Sequence, residues 1–152
     1  MILCTVASIE LFVTIVLMVP QNPKKVRVAR GISGFGLFAD EDIKKGEFII
    51  KYEGKLISTQ EANKLKTRYL FEIDENYTID GSSYSNKARY INHFCNPNVE
   101  AEVVAGEILF FALRDIKKGE ELGFDYGEEY FNEFIKPKGC ACHSCKIKTN
   151  GK

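Results

Sequence analysis

The sequence predicts a mainly β, α+β domain with one main helix. Three observations carry that expectation: short β-type runs set between turn residues, a single capped helical segment, and 152 residues, enough for one core but not two. Val26 to Ala39 reads as strand, glycine bend, strand, and Glu47 to Tyr52 (EFIIKY) as a buried strand. Ser58 or Thr59 caps QEANKLKTRY, whose leucine and tyrosine spacing fits a helix of about three turns. Leu70–Ile73, Tyr77–Asp80, Val99–Val104 and Glu107–Ala112 follow as further strands, with Ala105-Gly106 as a hairpin turn. The string Asp42-Ile-Lys-Lys-Gly-Glu47 recurs letter for letter as Asp115-Ile-Lys-Lys-Gly-Glu120. Both copies lie between β-type runs, where glycine supplies a positive φ, so they read as equivalent turns and not as duplicated domains.

Charge excludes one class of partner. Lysine plus arginine (21) balances aspartate plus glutamate (21), so nothing draws the surface as a whole toward nucleic acid. The local cluster Lys24, Lys25, Arg27, Arg30 reads as solvated surface, a membrane flank or a site for an acidic partner. Ile2 to Val19 is an apolar run interrupted by Thr5, Ser8, Glu10 and Thr14. As a helix it would reach roughly 27 Å and barely span a bilayer. It lacks the features of a cleaved signal peptide. A membrane anchor through residues 2–19, held cytoplasmic by the following basic cluster, is therefore less favoured than a packed element or an extension outside the fold.

Five cysteines point to a reducing compartment and argue against a closed disulfide framework. Cys140, Cys142 and Cys145 crowd together, and Cys95 follows shortly after Asn92, so folding could gather four thiolates around one tetrahedral Zn2+. A redox pair at Cys142 and Cys145 is the rival reading, disfavoured because such a pair normally opens a helix beside a βαβ unit and none is visible. His143 could compete as a ligand, and Cys4 is unassigned.

The GISGFGLFA entry at 31–39, RYINHFCNPN at 89–98, ELGFDYG at 121–127 and the CACHSC tail at 140–145, in that order, resemble the SET-domain protein lysine methyltransferases, whose fold is built of several small sheets. The resemblance runs from about Val26 to Cys145. It implies a β-fold threaded by its own C-terminal segment, with residues 1–25 as an extension, 26–131 as the SET domain and 132–152 as a post-SET-like zinc-binding tail. It implies S-adenosylmethionine as methyl donor and a lysine ε-amine of a histone tail or other protein as acceptor. Tyr126 matches the catalytic tyrosine, Tyr69 a tyrosine of the lysine channel, and Phe124 a position where phenylalanine leaves more room around the amine, which favours di- or trimethylation. Gly34, Phe35, Gly36, Tyr84, Arg89, Asn92 and His93, with Tyr126, would hold the cofactor.

The chemistry asks little of a base. A lysine of pKa about 10.4 gives up its proton at neutral pH at a cost of roughly 4 kcal/mol. A sulfonium about 4 Å away, at an effective dielectric near 20, repels the ammonium by a similar amount. Orienting the amine in a dry channel is then sufficient work for Tyr126. The tail departs from the family in spacing Cys142 and Cys145 by only His143 and Ser144, and no cysteine-rich cluster precedes the glycine motif. The resemblance further implies a monomer inside the cell, in the nucleus or on the chromosome if eukaryotic, in the cytoplasm or delivered to a host if bacterial. A SET-like module that binds a peptide without catalysis is the alternative.

Overall fold

The computed structural model describes Pro20, residues 22–31 and residues 33–150, with side chains to Lys146. The apolar run at 2–19 and Cys4 lie outside the described residues. No helix among the described residues is long and apolar enough to cross a membrane.

Among the described residues, ten short strands form four small sheets, which is the mainly β architecture expected. β1 (Val26–Gly31) and β2 (Gly34–Ala39) make an antiparallel hairpin. β3 (Phe48–Lys51), β8 (Val99–Val104) and β9 (Glu107–Ala112) make a three-stranded sheet in the order β3-β9-β8. Ala105 (φ 52°) and Gly106 (φ 77°) turn β8 into β9 as a two-residue hairpin loop. β4 (Lys55–Ser58), β5 (Leu70–Glu72) and β6 (Tyr77–Asp80) form the third sheet with β6 central. β7 (Asn92–His93) and β10 (Gly123–Phe124) pair in parallel. Because β9 is flanked on both edges, its run Ile108-Leu109-Phe110 is fully buried, and with Leu37, Ile49 and Leu122 it centres the core.

The helix after β4 is much shorter than its spacing predicts. α1 (Thr59–Ala62) starts on the expected capping box, in which Ser58 Oγ accepts from the Glu61 N–H and the Glu61 carboxylate accepts from the Ser58 N–H. It ends after one turn because only Ala62 finds the core; Leu65 is 44% exposed. A helix without a buried face to continue along has too little to offset nucleation. At the other end of the chain, α2 (Glu128–Tyr130) continues through a wide π turn over Phe131–Ile135 and a 3-10 turn over Lys136–Lys138, and α3 (His143–Asn150) follows the cysteine tail.

The recurring hexapeptides are equivalent turns that face one another across a local pseudo-dyad. Ile43 and Ile116 exchange backbone hydrogen bonds of 2.8 Å in each direction. Lys44 Nζ donates to Asp115 at 2.8 Å, and Lys117 Nζ donates to Asp42 at 3.0 Å. Each aspartate also accepts a backbone N–H of the opposite copy, from Lys45 and from Lys118. Gly46 (φ 81°) and Gly119 (φ 92°) supply the positive φ that both turns require. Hydrogen bonds from Lys118 N–H and the Lys117 ammonium hold Asp42 below its ordinary value, and the Lys44 ammonium with the Lys45 N–H does the same for Asp115.

A carboxyl lowered in the folded state contributes stability above its unfolded pKa of 3.8 and loses it as pH falls through the folded value. Urea titrations of the parent and of a double variant, Asp42→Asn with Asp115→Asn, should therefore converge below pH 3.8, with the parent more stable at neutral pH. Parallel pH profiles for the two proteins would show that the exchanged ion pairs contribute nothing to folding.

Candidate functional site

The segment leading to Tyr126 runs between two others. On one side the Ala39 N–H donates to Glu120 O and the Leu122 N–H donates to Leu37 O. On the other, β10 pairs with β7, and the Phe94 N–H donates to Phe124 O. A Cβ on Gly123 would fall 2.1 Å from the Phe94 ring, so only glycine lets the two segments approach this closely. The segment thus lies between the glycine hairpin and β7, and it delivers Tyr126 into an aromatic enclosure.

Tyr126 packs on Phe124 (centroids 4.7 Å), Tyr130 (5.1 Å) and His93 (5.5 Å). Its hydroxyl donates to Ile91 O at 2.8 Å. Burial pushes its pKa well above the ordinary value, so the phenol stays protonated at neutral pH. Phe124 stacks on Phe71 at 5.8 Å with 11° between planes, and Phe71 meets Tyr52 at 5.3 Å. Tyr52 is 5% exposed and its hydroxyl donates to Tyr69 O at 2.9 Å. The wall continues outward from Tyr130 to Phe134 at 4.8 Å. Such an enclosure can strip water from an alkyl amine and hold it in line.

A second set of groups lies beside this wall. Asn92 Nδ2 donates to Phe35 O at 3.1 Å and to Glu121 Oε1 at 2.9 Å, tying β7 to the glycine hairpin. Gly31 and Gly36 are glycine for a spatial reason. A Cβ on either would fall 2.6 Å or 2.2 Å from the Glu121 carboxylate, while neither has a positive φ. Gly34 does have one (φ 108°), and a Cβ there would stand in open space. Arg89 lies over the rings of Tyr69 (3.8 Å) and Tyr84 (4.6 Å), and its guanidinium lowers the Tyr69 phenol. Arg89 Nε is buried without a hydrogen-bond partner, and Tyr84 (82% exposed) and Phe35 (57% exposed) present uncovered rings. An orphaned donor, open backbone at Gly34 and two uncovered aromatics fit a bound ligand with a planar base and an anionic end.

The thiols converge. Cys95, Cys140, Cys142 and Cys145 place all four sulfurs within 4.8 Å of one another. Cys95 Sγ lies 3.7 Å from that of Cys140 and 3.6 Å from that of Cys145. A tetrahedral Zn2+ with bonds of about 2.3 Å sets sulfurs about 3.8 Å apart, so both the donor set and its spacing fit this ion. Burial pushes the Cys95 and Cys140 thiols up. Cys142 is buried too, but backbone N–H donors at Cys95 and Cys145 bring it down to about 7. His143 is exposed and not in the group. Contrary to the sequence expectation, Cys142 stands directly before α3, with the Cys145 and Lys146 N–H groups donating to its carbonyl, so this CxxC does open a helix. What sets it apart from a redox pair is the sharing of both sulfurs with Cys95 and Cys140.

Comparison with known proteins follows the same outline. The SET domain profile matches residues 34–127. The chain belongs to the SET-domain family. This SET domain is 42% identical over 122 residues to the histone-lysine N-methyltransferase ASHH3 of Arabidopsis thaliana, covering 72% of this chain and 33% of that one. It is 38% identical over 128 residues to human histone-lysine N-methyltransferase EHMT1, covering 76% and 10%. Its fold resembles a chain of the polycomb repressive complex 2 of Chaetomium thermophilum, in an autoinhibited conformation bound to S-adenosylmethionine, with TM-score 0.63 and 39% identity over 70% of this chain and 15% of that one. The chain thus spans a third or less of the length of these relatives.

Of the residues singled out in the sequence, Tyr126 packs against Phe124 and His93, Asn92 bonds Phe35 in the Gly34–Gly36 segment, Arg89 lies over Tyr69 and Tyr84, and the four cysteines form a group that meets His93 through Cys95. Sequence reasoning missed Tyr52, Phe71 and Glu121. Tyr52 ends a buried strand, where a hydroxyl needs a partner, and that was a usable signal. Glu121 was signalled only indirectly, by glycines at 31 and 36 that no turn requires. Gly36→Ala should displace the Glu121 carboxylate, the mobile end of that side chain, and cost about 1 kcal/mol of stability. Chemical denaturation of Gly36→Ala, Glu121→Ala and the double variant checks the contact, since coupled residues give a double loss smaller than the sum. Strict additivity would place Glu121 elsewhere in solution.

Proposed function

We propose that this SET domain is an S-adenosylmethionine-dependent protein lysine N-methyltransferase acting on a histone tail or another lysine-bearing protein. The observation that carries the reading is the meeting of the Tyr126 enclosure with the groups on β2 and β7. The names of the relatives, both histone-lysine N-methyltransferases, support it. S-adenosylmethionine, when bound, supplies an electrophilic methyl group and a positive charge. Gly34, Phe35 and Gly36 would admit it against the backbone, with Asn92, His93, Arg89 and Tyr84 around it. Tyr52, Tyr69, Phe71, Phe124 and Tyr126 would wall the acceptor lysine, excluding water and fixing the direction of its lone pair. Tyr126, protonated and anchored to Ile91 O, orients and does not deprotonate. With phenylalanine at 124 the wall carries one hydroxyl fewer to hold a water or a partly methylated amine, which supports di- or trimethylation.

The reading also assigns Zn2+ to Cys95, Cys140, Cys142 and Cys145. It takes 26–131 as the SET domain, 132–152 as its tail and 1–25 as an extension. Monomeric state and a nuclear or chromosomal address in a eukaryote belong to the same proposal.

Incubation with S-adenosylmethionine, core histones and a total protein extract, read by mass spectrometry, should show methyl groups added to lysine in a series reaching two or three. A series that stops at one methyl would refute the role given to Phe124. Tyr126→Phe should reduce transfer by at least about 100-fold, the lower range for losing one aligned catalytic group, while calorimetry shows cofactor binding retained. Full activity in that variant would remove Tyr126 from the reaction. Cys145→Ser should lower zinc content and activity together; metal content equal to the parent would refute the four-thiolate assignment.

A further inference from the structure

We propose that His93 is a positioning residue that couples the four-cysteine metal centre to the catalytic tyrosine, one ring nitrogen serving each. The inference rests on the zinc reading and stands independently of which protein is methylated. His93 lies on β7 opposite Phe124 in the parallel pair, and its side chain is 7% exposed. Its Nδ1 accepts the backbone N–H of Tyr126 at 3.3 Å and stands 3.7 Å from Asp125 Oδ1, beyond hydrogen-bond reach. Its Nε2 lies 3.4 Å from Cys95 Sγ. A backbone N–H can only donate, so Nδ1 presents its lone pair, and a neutral ring then carries its proton on Nε2, pointing at sulfur. A metal-bound thiolate has no proton and can only accept. The polarity of the relay is therefore fixed from both ends: Tyr126 N–H to Nδ1, and Nε2–H to Cys95 Sγ.

The ring cannot easily leave this position. Tyr126 packs at 5.5 Å and Phe131 at 5.1 Å between centroids. The same imidazole thus orients a metal ligand, as outer-shell partners of metal sites do, and sets the backbone from which the reacting tyrosine projects. Loading the tail with metal and fixing Tyr126 become one event. Neither the cofactor-side groups nor the thiols require that connection on their own.

The two nitrogens can be separated by substitution. The side-chain nitrogen of glutamine reaches the place of Nε2, and the side-chain oxygen of asparagine reaches the place of Nδ1. His93→Gln should keep parental zinc affinity in chelator competition and speed hydrogen exchange at the Tyr126 amide. His93→Asn should weaken zinc by about 10- to 100-fold while, with zinc saturating, the Tyr126 amide exchanges as in the parent. No substitution is needed for two further readouts, which hold even if a variant fails to fold. Long-range proton–nitrogen NMR of the zinc-loaded parent should find the His93 proton on Nε2, and stripping zinc should accelerate exchange at Tyr126. A parent that binds zinc but carries the proton on Nδ1, or whose Tyr126 amide ignores zinc removal, overturns this inference alone. A parent that binds no zinc overturns the zinc reading and this inference together.

Discussion

Asn98 is the constraint on which the site depends. It is 2% exposed, and each of its polar groups is spoken for. Its side chain donates to Glu121 O at 2.8 Å and accepts the Gly123 N–H at 2.9 Å. Its backbone N–H donates to Gly123 O at 3.1 Å, and its carbonyl accepts the Leu113 N–H at 2.9 Å. A buried amide whose side-chain oxygen and nitrogen and backbone groups all have partners specifies register, because any slip would strand its donors and acceptors at a cost of about 1–3 kcal/mol each. Register is what the site needs. A slip of one residue in the segment bearing Leu122, Phe124 and Tyr126 would exchange the buried and exposed sides and turn the tyrosine away from its enclosure. The residues that meet there come from the hairpin at 31–36, the 89–95 segment, 121–126 and the tail, and only this crossing makes them neighbours.

The electrostatics of the enclosure are consistent with that geometry. Burial raises the phenols of Tyr126 and Tyr52, so both remain neutral donors, each committed to a backbone carbonyl. A neutral, dry wall amplifies whatever charge is introduced into it. A cationic ligand held beside the wall would then act strongly on the ionisation of an amine inside it. Glu121 is the counterweight: its carboxylate lies behind the glycine hairpin and fixes the Asn92 amide.

Local structure was legible where a residue's backbone demanded it. Ala105-Gly106 announced the β8–β9 hairpin, and the repeated Asp-Ile-Lys-Lys-Gly-Glu strings announced two turns. That those turns would exchange ion pairs across a pseudo-dyad was not legible, since nothing local records which distant turn faces which. The helix after Ser58 was overextended for a related reason: its cap is encoded locally, whereas its length depends on whether Leu65 meets a core. The glycine motif was read as a place for a ligand to approach. Gly34 fits that reading, but Gly36 and Gly31 also make room for Glu121, and only a spatial account separates the two uses. The short spacing of the tail cysteines leaves a fourth thiol wanting, and the fold supplies it by bringing Cys95 to the tail.

The tail shows how little of such a site can be assigned to any one segment. α3 spans His143–Asn150, too short to be stable alone in water. Among the described side chains of residues 140–146, Cys142 is the only buried one. Its ordering contacts are the sulfurs it shares with Cys95, together with the hydrogen bond from Ser33 Oγ to Ala141 O that sets it against the glycine hairpin. Cys95 in turn belongs to the strand segment that carries Asn92 and His93. The tail therefore orders against the SET core, through Cys95 and through the glycine hairpin, and each supplies contacts that the other lacks.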